Sequence, residues 1–230
     1  MKKVYILSGA GLSAESGIRT FRDSNGLWEE FSIEEVCSTT GWAIDRQKVS
    51  DFYDARRADV GTKEPNIAHK ELAKLKEKYP ENIVMLTQNV DDMLEKAGCK
   101  DVIHLHGTLT DLRCESCGEV FYVGYSEQEG KVCPTCGSDY VRHNVVMFGE
   151  AAPAYVHLNK LYNEAEMVVV IGTAGQVIDT GYIAQIIDNS VLLNLDEDVN
   201  IDQYFKTRIY EPATKGIFEV VEHVEEFLEA

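Results

Sequence analysis

Residues 3–17 read KVYILSGAGLSAESG: a short apolar run, Lys3 to Leu7, that ends at Ser8-Gly9 and passes into a glycine-bearing turn. An apolar run of that length reads as a buried strand, and a strand that feeds such a turn and then a helix is the opening unit of a doubly wound α/β sheet. Gly9-x-Gly11-x-x-Ala14 fits the loose form of the dinucleotide fingerprint, in which glycines let the backbone approach a pyrophosphate. A strand-to-helix turn with no ligand has the same glycines, so the stretch alone leaves both possibilities open.

Further along the chain, strand-like runs recur at Ile83–Leu86 (IVML), Met167–Ile171 (MVVVI) and Val191–Leu195 (VLLNL). Between them lie helical segments, notably Ile67–Lys78, with Leu72 and Leu75 at helical spacing and Pro80 closing it. The alternation predicts a parallel sheet covered on both faces, a Rossmann-like fold. Two stretches break the rhythm. Residues 29–61 predict a helical insert, and residues 113–142, rich in glycine and cysteine, predict a small zinc-ribbon module. Residues 1–28, 62–112 and 143–230 then form the nucleotide-binding part. In an ordinary dehydrogenase a second strand ending in an acid follows the first helix; here that place holds Gly17 to Trp28 (GIRTFRDSNGLW), which is no apolar strand, so any nucleotide is held differently.

Across 230 residues, 39 acidic side chains face 22 basic ones, a net charge of −17. Phosphate neutralisation along nucleic acid needs a basic footprint, and no Lys/Arg-rich run is present, so direct nucleic-acid binding is not expected. No apolar stretch approaches the ~20 residues of a membrane helix, and Lys2-Lys3 followed by a strand-length run does not resemble a signal peptide. The expected location is cytoplasmic. The spacing of the cysteines supports it indirectly. Cys114 and Cys117, then fifteen intervening residues, then Cys133 and Cys136 form two Cys-x-x-Cys pairs. Two such knuckles present four thiolates to one ion, a closed tetrahedral site suited to structural zinc. With no open coordination position there, the chemistry must lie elsewhere. Val102 to Gly107 (VIHLHG) predicts a strand end on which His104 and His106 share a face, and spacing does not say which, if either, is catalytic.

From Gly9 to Arg22 the chain resembles the sirtuins, the NAD-dependent protein deacylases. The glycine-alanine-glycine-x-serine turn, the Ser16-Gly17-Ile18 step and the Phe21-Arg22 pair carry the likeness. Further matches follow in family order: Gln88-Asn89-Val90-Asp91, His106-Gly107, the four cysteines, Val145 to Glu150 (VVMFGE), Gly172-Thr173 and Asn194, so that the resemblance runs from about residue 3 to the C-terminus. Arg19, Val90, His143 and Ala174 depart from it, standing where proline, isoleucine, proline and serine are usual; the last removes a hydroxyl and leaves a backbone contact as the expectation there.

The resemblance implies that NAD is consumed as a co-substrate. It places the cofactor against Gly9, Ala10, Gly11, Ser13, Ser16, Gly17, Phe21, Arg22, Asp23 and Trp28, against Gln88, Asn89, Val90 and Asp91, and against Gly172, Thr173, Ala174, Asn194, Leu195, Asp196 and Ala213. Asn89 and Asp91 would hold the nicotinamide amide and Gln88 the ribose, while Arg22 and the turn amides offset phosphate charge. His106 would be the general base: the acyl-lysine amide oxygen attacks the nicotinamide ribose, nicotinamide leaves, and the histidine deprotonates a ribose hydroxyl that attacks the imidate, giving free lysine and O-acyl-ADP-ribose. Val146, Phe148 and Gly149 would flank an extended acyl-lysine peptide by main-chain pairing. ADP-ribosyl transfer to protein at the same site, and a silent NAD-sensing zinc-ribbon scaffold, are the competing readings. The oligomeric state is not set by the sequence.

Residues 51–57, DFYDARR, put Tyr53 on one helix face with both Arg56 and Arg57, and spacing does not choose between the arginines. The class III, desuccinylase- and demalonylase-like sirtuins of bacterial or archaeal type have a tyrosine-x-x-arginine pair in this insert, and Tyr53 and Arg56 occupy it. An arginine fork and a phenol can together hold a distal carboxylate. The resemblance therefore implies removal of succinyl and malonyl groups, with acetyl also accepted. Cys37 falls where that class keeps a small residue to widen the acyl pocket. Arg57 is expected to be solvated.

Overall fold

Val4–Ser8 (β1) forms the centre of the molecule because all five of its residues are buried and it has strands on both sides. In the computed structural model, which describes residues 1–19 and 31–230, β1 pairs in parallel with Ile83–Thr87 (β2) and with Met167–Ile171 (β7). Ile103–His104 (β3), Asn189–Asn194 (β8) and Thr207–Tyr210 (β9) complete a parallel six-stranded sheet in the order β3-β2-β1-β7-β8-β9. The order reverses at β1, which opens a crevice at the carboxyl ends of β1 and β7. Strand ends differ from the expected ones by a residue or two because the ladder takes in polar ends. Ser8 and Thr87, for example, are buried partners whose hydroxyls bond to one another at 2.9 Å.

Helices cover both faces. Ile67–Lys78 (α5) and Ala213–Glu229 (α9) bury Leu72, Leu75, Ile217 and Val220 against Val4, Ile6 and Met85, while Val156–Glu164 (α7) and Thr180–Ile186 (α8) bury Leu158, Leu161 and Ile183 against Leu7, Val168 and Val170. The expected bounds of α5 match because both ends are marked. Asn66 caps the first turn, accepting from the amides of Ala68 and His69, and Lys76 and Lys78 lie in the last turn, at the negative end of the helix.

The helical insert packs on the small sheet that carries the cysteine-rich stretch, and that sheet reaches beyond the expected 113–142 on both sides. Ile33–Val36 (α2), Thr39–Ile44 (α3) and Arg46–Gly61 (α4) form a helical group whose Val36, Val49, Phe52 and Tyr53 meet Leu109, Val145 and Met147. Those last residues belong to or follow a separate antiparallel sheet, Gly107–Cys114 (β4) between Val120–Tyr122 (β5) and Val141–Val145 (β6). Arg46 ties the group together, stacked between the Trp42 and Tyr140 rings at 4.3 and 4.0 Å and paired with Glu115.

Candidate active site

The turn after β1 is pressed against the end of β7. Gly11 N–H donates to the Gly172 carbonyl at 2.9 Å, and a Cβ on Gly11 would come within 2.6 Å of Gly172 Cα. Glycine is therefore required for the two loops to approach at the crevice. The helix that follows, Gly11–Ala14 (α1), is a single turn. Gly9, Ala10, Gly11 and Ser13 thus line the switch point together with Gly172, Thr173 and Ala174. Gln88 joins them, donating to the Thr173 hydroxyl at 3.2 Å, as does Asn194, donating to the Thr173 carbonyl at 3.0 Å. Leu195 and Asp196 are exposed just beyond β8, and Ala213 opens α9, whose Thr214 bonds to Glu15 beyond α1. Ser16 accepts from the Asn66 amide at 3.2 Å, and Gly17 closes the turn with φ +77°. Phe21, Arg22, Asp23 and Trp28 lie outside the described residues.

Beneath this rim a buried polar network fixes the residues after β2. His69 Nδ1 accepts from the Asn66 amide, so its Nε2–H is the donor toward Ser13 Oγ at 3.2 Å; Asn89 Nδ2 donates to the same oxygen at 3.1 Å. The Ser13 proton is then directed to the buried carboxyl of Asp91, which also accepts from the Met93 amide at 3.1 Å. Burial raises the Asp91 pKa, so this carboxyl takes up a proton more readily than a surface aspartate. Val90 joins the floor through its carbonyl, which accepts from Leu109 N–H at 2.8 Å. His69 had not been singled out in the sequence, although Asn66 and His69 stand at capping-box spacing, a signal that points to this residue.

The structure separates the two histidines that spacing could not. β3 ends at His104, and His106 sits in the tight turn leading to β4, so the two are not successive same-face residues of one strand. His104 Nδ1 meets the Asn89 carbonyl at 2.9 Å and Nε2 meets the Glu95 carboxylate at 2.8 Å. Both partners are acceptors, so His104 carries both protons. Burial is the largest single influence and acts to lower its pKa, but Glu95, the Asn89 carbonyl and Asp91 together raise it. His106 Nδ1 likewise faces a carbonyl, that of Gln88 at 2.9 Å, but Nε2 faces the Tyr155 hydroxyl at 2.8 Å. Burial lowers its pKa, so the ring is a neutral tautomer with the Nε2 lone pair directed into the site.

Tyr53 lies on the buried face of α4, stacked on His143 with ring centroids 3.9 Å apart and 18° between planes, its hydroxyl beside the buried Cys37 thiol. Arg56 is half-buried, with Tyr53, Cys37 and Asp91 as charged or polar neighbours and its guanidinium over the Phe52 ring. Tyr53, Arg56 and Cys37 therefore converge. Arg57 overturns its expectation. It is fully buried rather than solvated, paired with Asp54 and donating through Nε to the Leu109 carbonyl. Its side chain crosses from α4 to β4, a tertiary contact that helical spacing could not reveal.

The strand expected to hold a peptide is partly used. Phe148 N–H donates to the Cys37 carbonyl at 2.8 Å, its carbonyl accepts from Thr39 N–H at 3.0 Å, and Val146 N–H donates to the His106 carbonyl at 2.9 Å. The main chain of Phe148 is thus bonded within the chain, and its ring is 49% exposed. Gly149 follows with φ +93°, a conformation that side chains disfavour.

Cys114, Cys117, Cys133 and Cys136 bring their sulfurs within 4.8 Å of one another, with closest pairs at 3.7 and 3.6 Å. A tetrahedron with Zn–S bonds of ~2.3 Å puts its sulfurs ~3.8 Å apart, so the cluster fits a structural zinc. Each knuckle closes in the same way, Gly118 N–H to the Cys114 carbonyl and Gly137 N–H to the Cys133 carbonyl, both at 2.9 Å. Among the described residues no helix is long and apolar enough to cross a membrane.

A parallel sheet with its switch point at β1, a glycine turn against β7, a neutral histidine at the crevice and a four-cysteine module define a nucleotide-dependent α/β protein with a structural metal site. Residues 9–179 match the Sir2 family, and the chain belongs to that family. It is 48% identical over 228 residues to an NAD-dependent protein deacylase of Campylobacter jejuni subsp. jejuni, covering 99% of this chain and 98% of that one. Among solved structures, a Sir2 homologue in complex with NAD superposes with a TM-score of 0.83 at 35% identity, covering 99% of this chain and 91% of the other. A mutant Sir2 homologue in complex with 2′-O-acetyl ADP-ribose gives 0.83 at 34% identity, covering 100% and 94%.

Proposed function

We propose that this chain is an NAD-dependent protein-lysine deacylase in which His106 is the general base. The observation that carries the assignment is the tautomer of His106: Nδ1–H is anchored on the Gln88 carbonyl, so Nε2 is the proton acceptor, and burial keeps it uncharged. Bound NAD supplies the ribose to which the acyl group passes. The chain's own residues do the rest. Asn89 and Asp91, fixed through Ser13, would offer an amide and a carboxyl to the nicotinamide carboxamide; Gln88 would hold the ribose; and Nε2 of His106 would take the proton of a ribose hydroxyl. A base of lowered pKa stays competent as pH falls, so the acid limb of kcat/KM is expected below the ordinary histidine range.

Tyr53 and Arg56 support a finer reading, preference for succinyl- or malonyl-lysine over acetyl-lysine. A guanidinium held beside a buried phenol suits a distal carboxylate, and Cys37 keeps that wall of the pocket small. The test is incubation with acetyl-, malonyl-, succinyl- and glutaryl-lysine peptides and NAD, following nicotinamide release against free lysine. His106→Ala is expected to bind NAD and lose nearly all deacylation; wild-type turnover in that variant would remove His106 from its role, and nicotinamide release without lysine product would favour ADP-ribosyl transfer.

A further inference from the structure

Nε2 of His106 is already engaged. Gln88 takes the Nδ1 proton, so the 2.8 Å contact between Nε2 and Tyr155 runs one way: the phenol donates and the imidazole accepts. Tyr155 ends a short turn, Pro153–Tyr155, between β6 and α7. Its ring is partly buried against the cluster holding Leu105, Leu158 and Leu161, tilted 48° from the imidazole at a centroid distance of 5.8 Å. The contact is therefore a hydrogen bond from an anchored ring and not a stacking accident. Burial raises the phenol pKa, so the hydroxyl keeps its proton at neutral pH. Among the described residues, the Gln88 carbonyl and the Tyr155 hydroxyl are the polar groups on His106, and no charged side chain shifts it; the neighbouring His104 is committed to Glu95 and Asn89.

A neutral imidazole has one lone pair, and a ribose hydroxyl and the Tyr155 hydroxyl cannot both donate to it. We infer that Tyr155 is a positioning residue that caps the base: its hydroxyl occupies Nε2 until a ribose hydroxyl displaces it, so substrate binding and arming of the base are one exchange. The inference rests on the reading of His106 as base. It goes beyond that reading because Tyr155 lies 49 residues from His106 in sequence and touches the same atom that must accept the proton.

The cap has a pH signature. The tyrosine stabilises only the neutral imidazole, so it lowers the His106 pKa and the high-pH plateau of kcat/KM by the same factor, while leaving the low-pH limb, where the protonated form dominates, unchanged. In Tyr155→Phe, which keeps the ring, the plateau is expected to rise roughly fivefold and the apparent pKa by about 0.7 unit, with the two profiles merging at acid pH. Proton NMR of the His106 ring in the protein without NAD or peptide should show the same upward shift. An unmoved His106 titration, or a plateau that falls tenfold or more, would overturn the cap, the latter meaning that the phenol is needed in the chemical step itself. Failure of the parent reading looks different: His106→Ala would retain turnover, whatever the titration in Tyr155→Phe.

Discussion

Removing the guanidinium of Arg57 leaves the buried Leu109 carbonyl without this donor and takes the charged partner from the part-buried Asp54 carboxylate, which keeps its bond from Gln128 N–H. Arg57→Met is therefore expected to lower stability by about 2 kcal/mol, because a buried carbonyl loses its hydrogen bond and a part-buried carboxylate its ion pair. Arg56→Met is expected to cut the ratio of succinyl to acetyl turnover by about tenfold, the value of one charge-assisted bond. Thermal melts and the peptide series on both variants check the pair, and equal loss of selectivity in the two would withdraw Arg56 as anchor. Helical spacing put Tyr53 on one face with both arginines, and only the family resemblance singled out Arg56. The burial of Arg57 was not legible, since whether a charge is solvated depends on what another element places above it. Tyr155 left no trace in the sequence at all, because its partner is reached only through the fold.

At the scale of elements, β4 and β6 carry the zinc cluster at one end and pack Leu109 and Val145 against α4 at the other. The outer cluster is small, Leu112 and Val141 with Cys114 and Cys133, so the metal must supply much of what holds this end together. Chelation is expected to release about one zinc per chain and expose the stretch between Cys114 and Cys136 to protease, while α5 and α9 stay protected; metal analysis and limited proteolysis read both, and an unchanged cleavage pattern after metal loss would contradict it. Elements of this kind were legible where the pattern has a single meaning. Continuous apolar runs gave the central strands because a parallel strand is buried on both faces, and paired Cys-x-x-Cys knuckles gave the metal site. β3, with two residues, was harder to place, because so short a strand is defined by its neighbour β2 and not by its own sequence.

For the molecule as a whole, two buried neutral histidines set a response to acid. His69 is lowered to about 4 by burial, and His143 to about 3 by burial and then by Arg57 and Arg113, each from an ordinary value of 6.5. The unfolded chain takes up protons at these positions as pH falls through 6.5, and the fold does not until about 4 and about 3. Stability is thus fully present above that upper value and is lost on acidification, by about 1.4 kcal/mol per pH unit for each histidine inside its window. Melting temperature measured between pH 7 and 5, before most carboxylates titrate, should fall for the wild type and fall less for His143→Phe, which keeps an aromatic ring against Tyr53; parallel curves would refute the assignment. A different consequence follows from the way Cys37 is used. Its carbonyl holds Phe148, at the edge proposed to meet the peptide, while its thiol abuts Tyr53 in the proposed acyl pocket. On the proposed reading one residue would serve two recognition surfaces, one through its main chain and the other through its side chain. Because every residue type carries the same carbonyl, the pocket side can be resized at this position while the hold on Phe148 is kept.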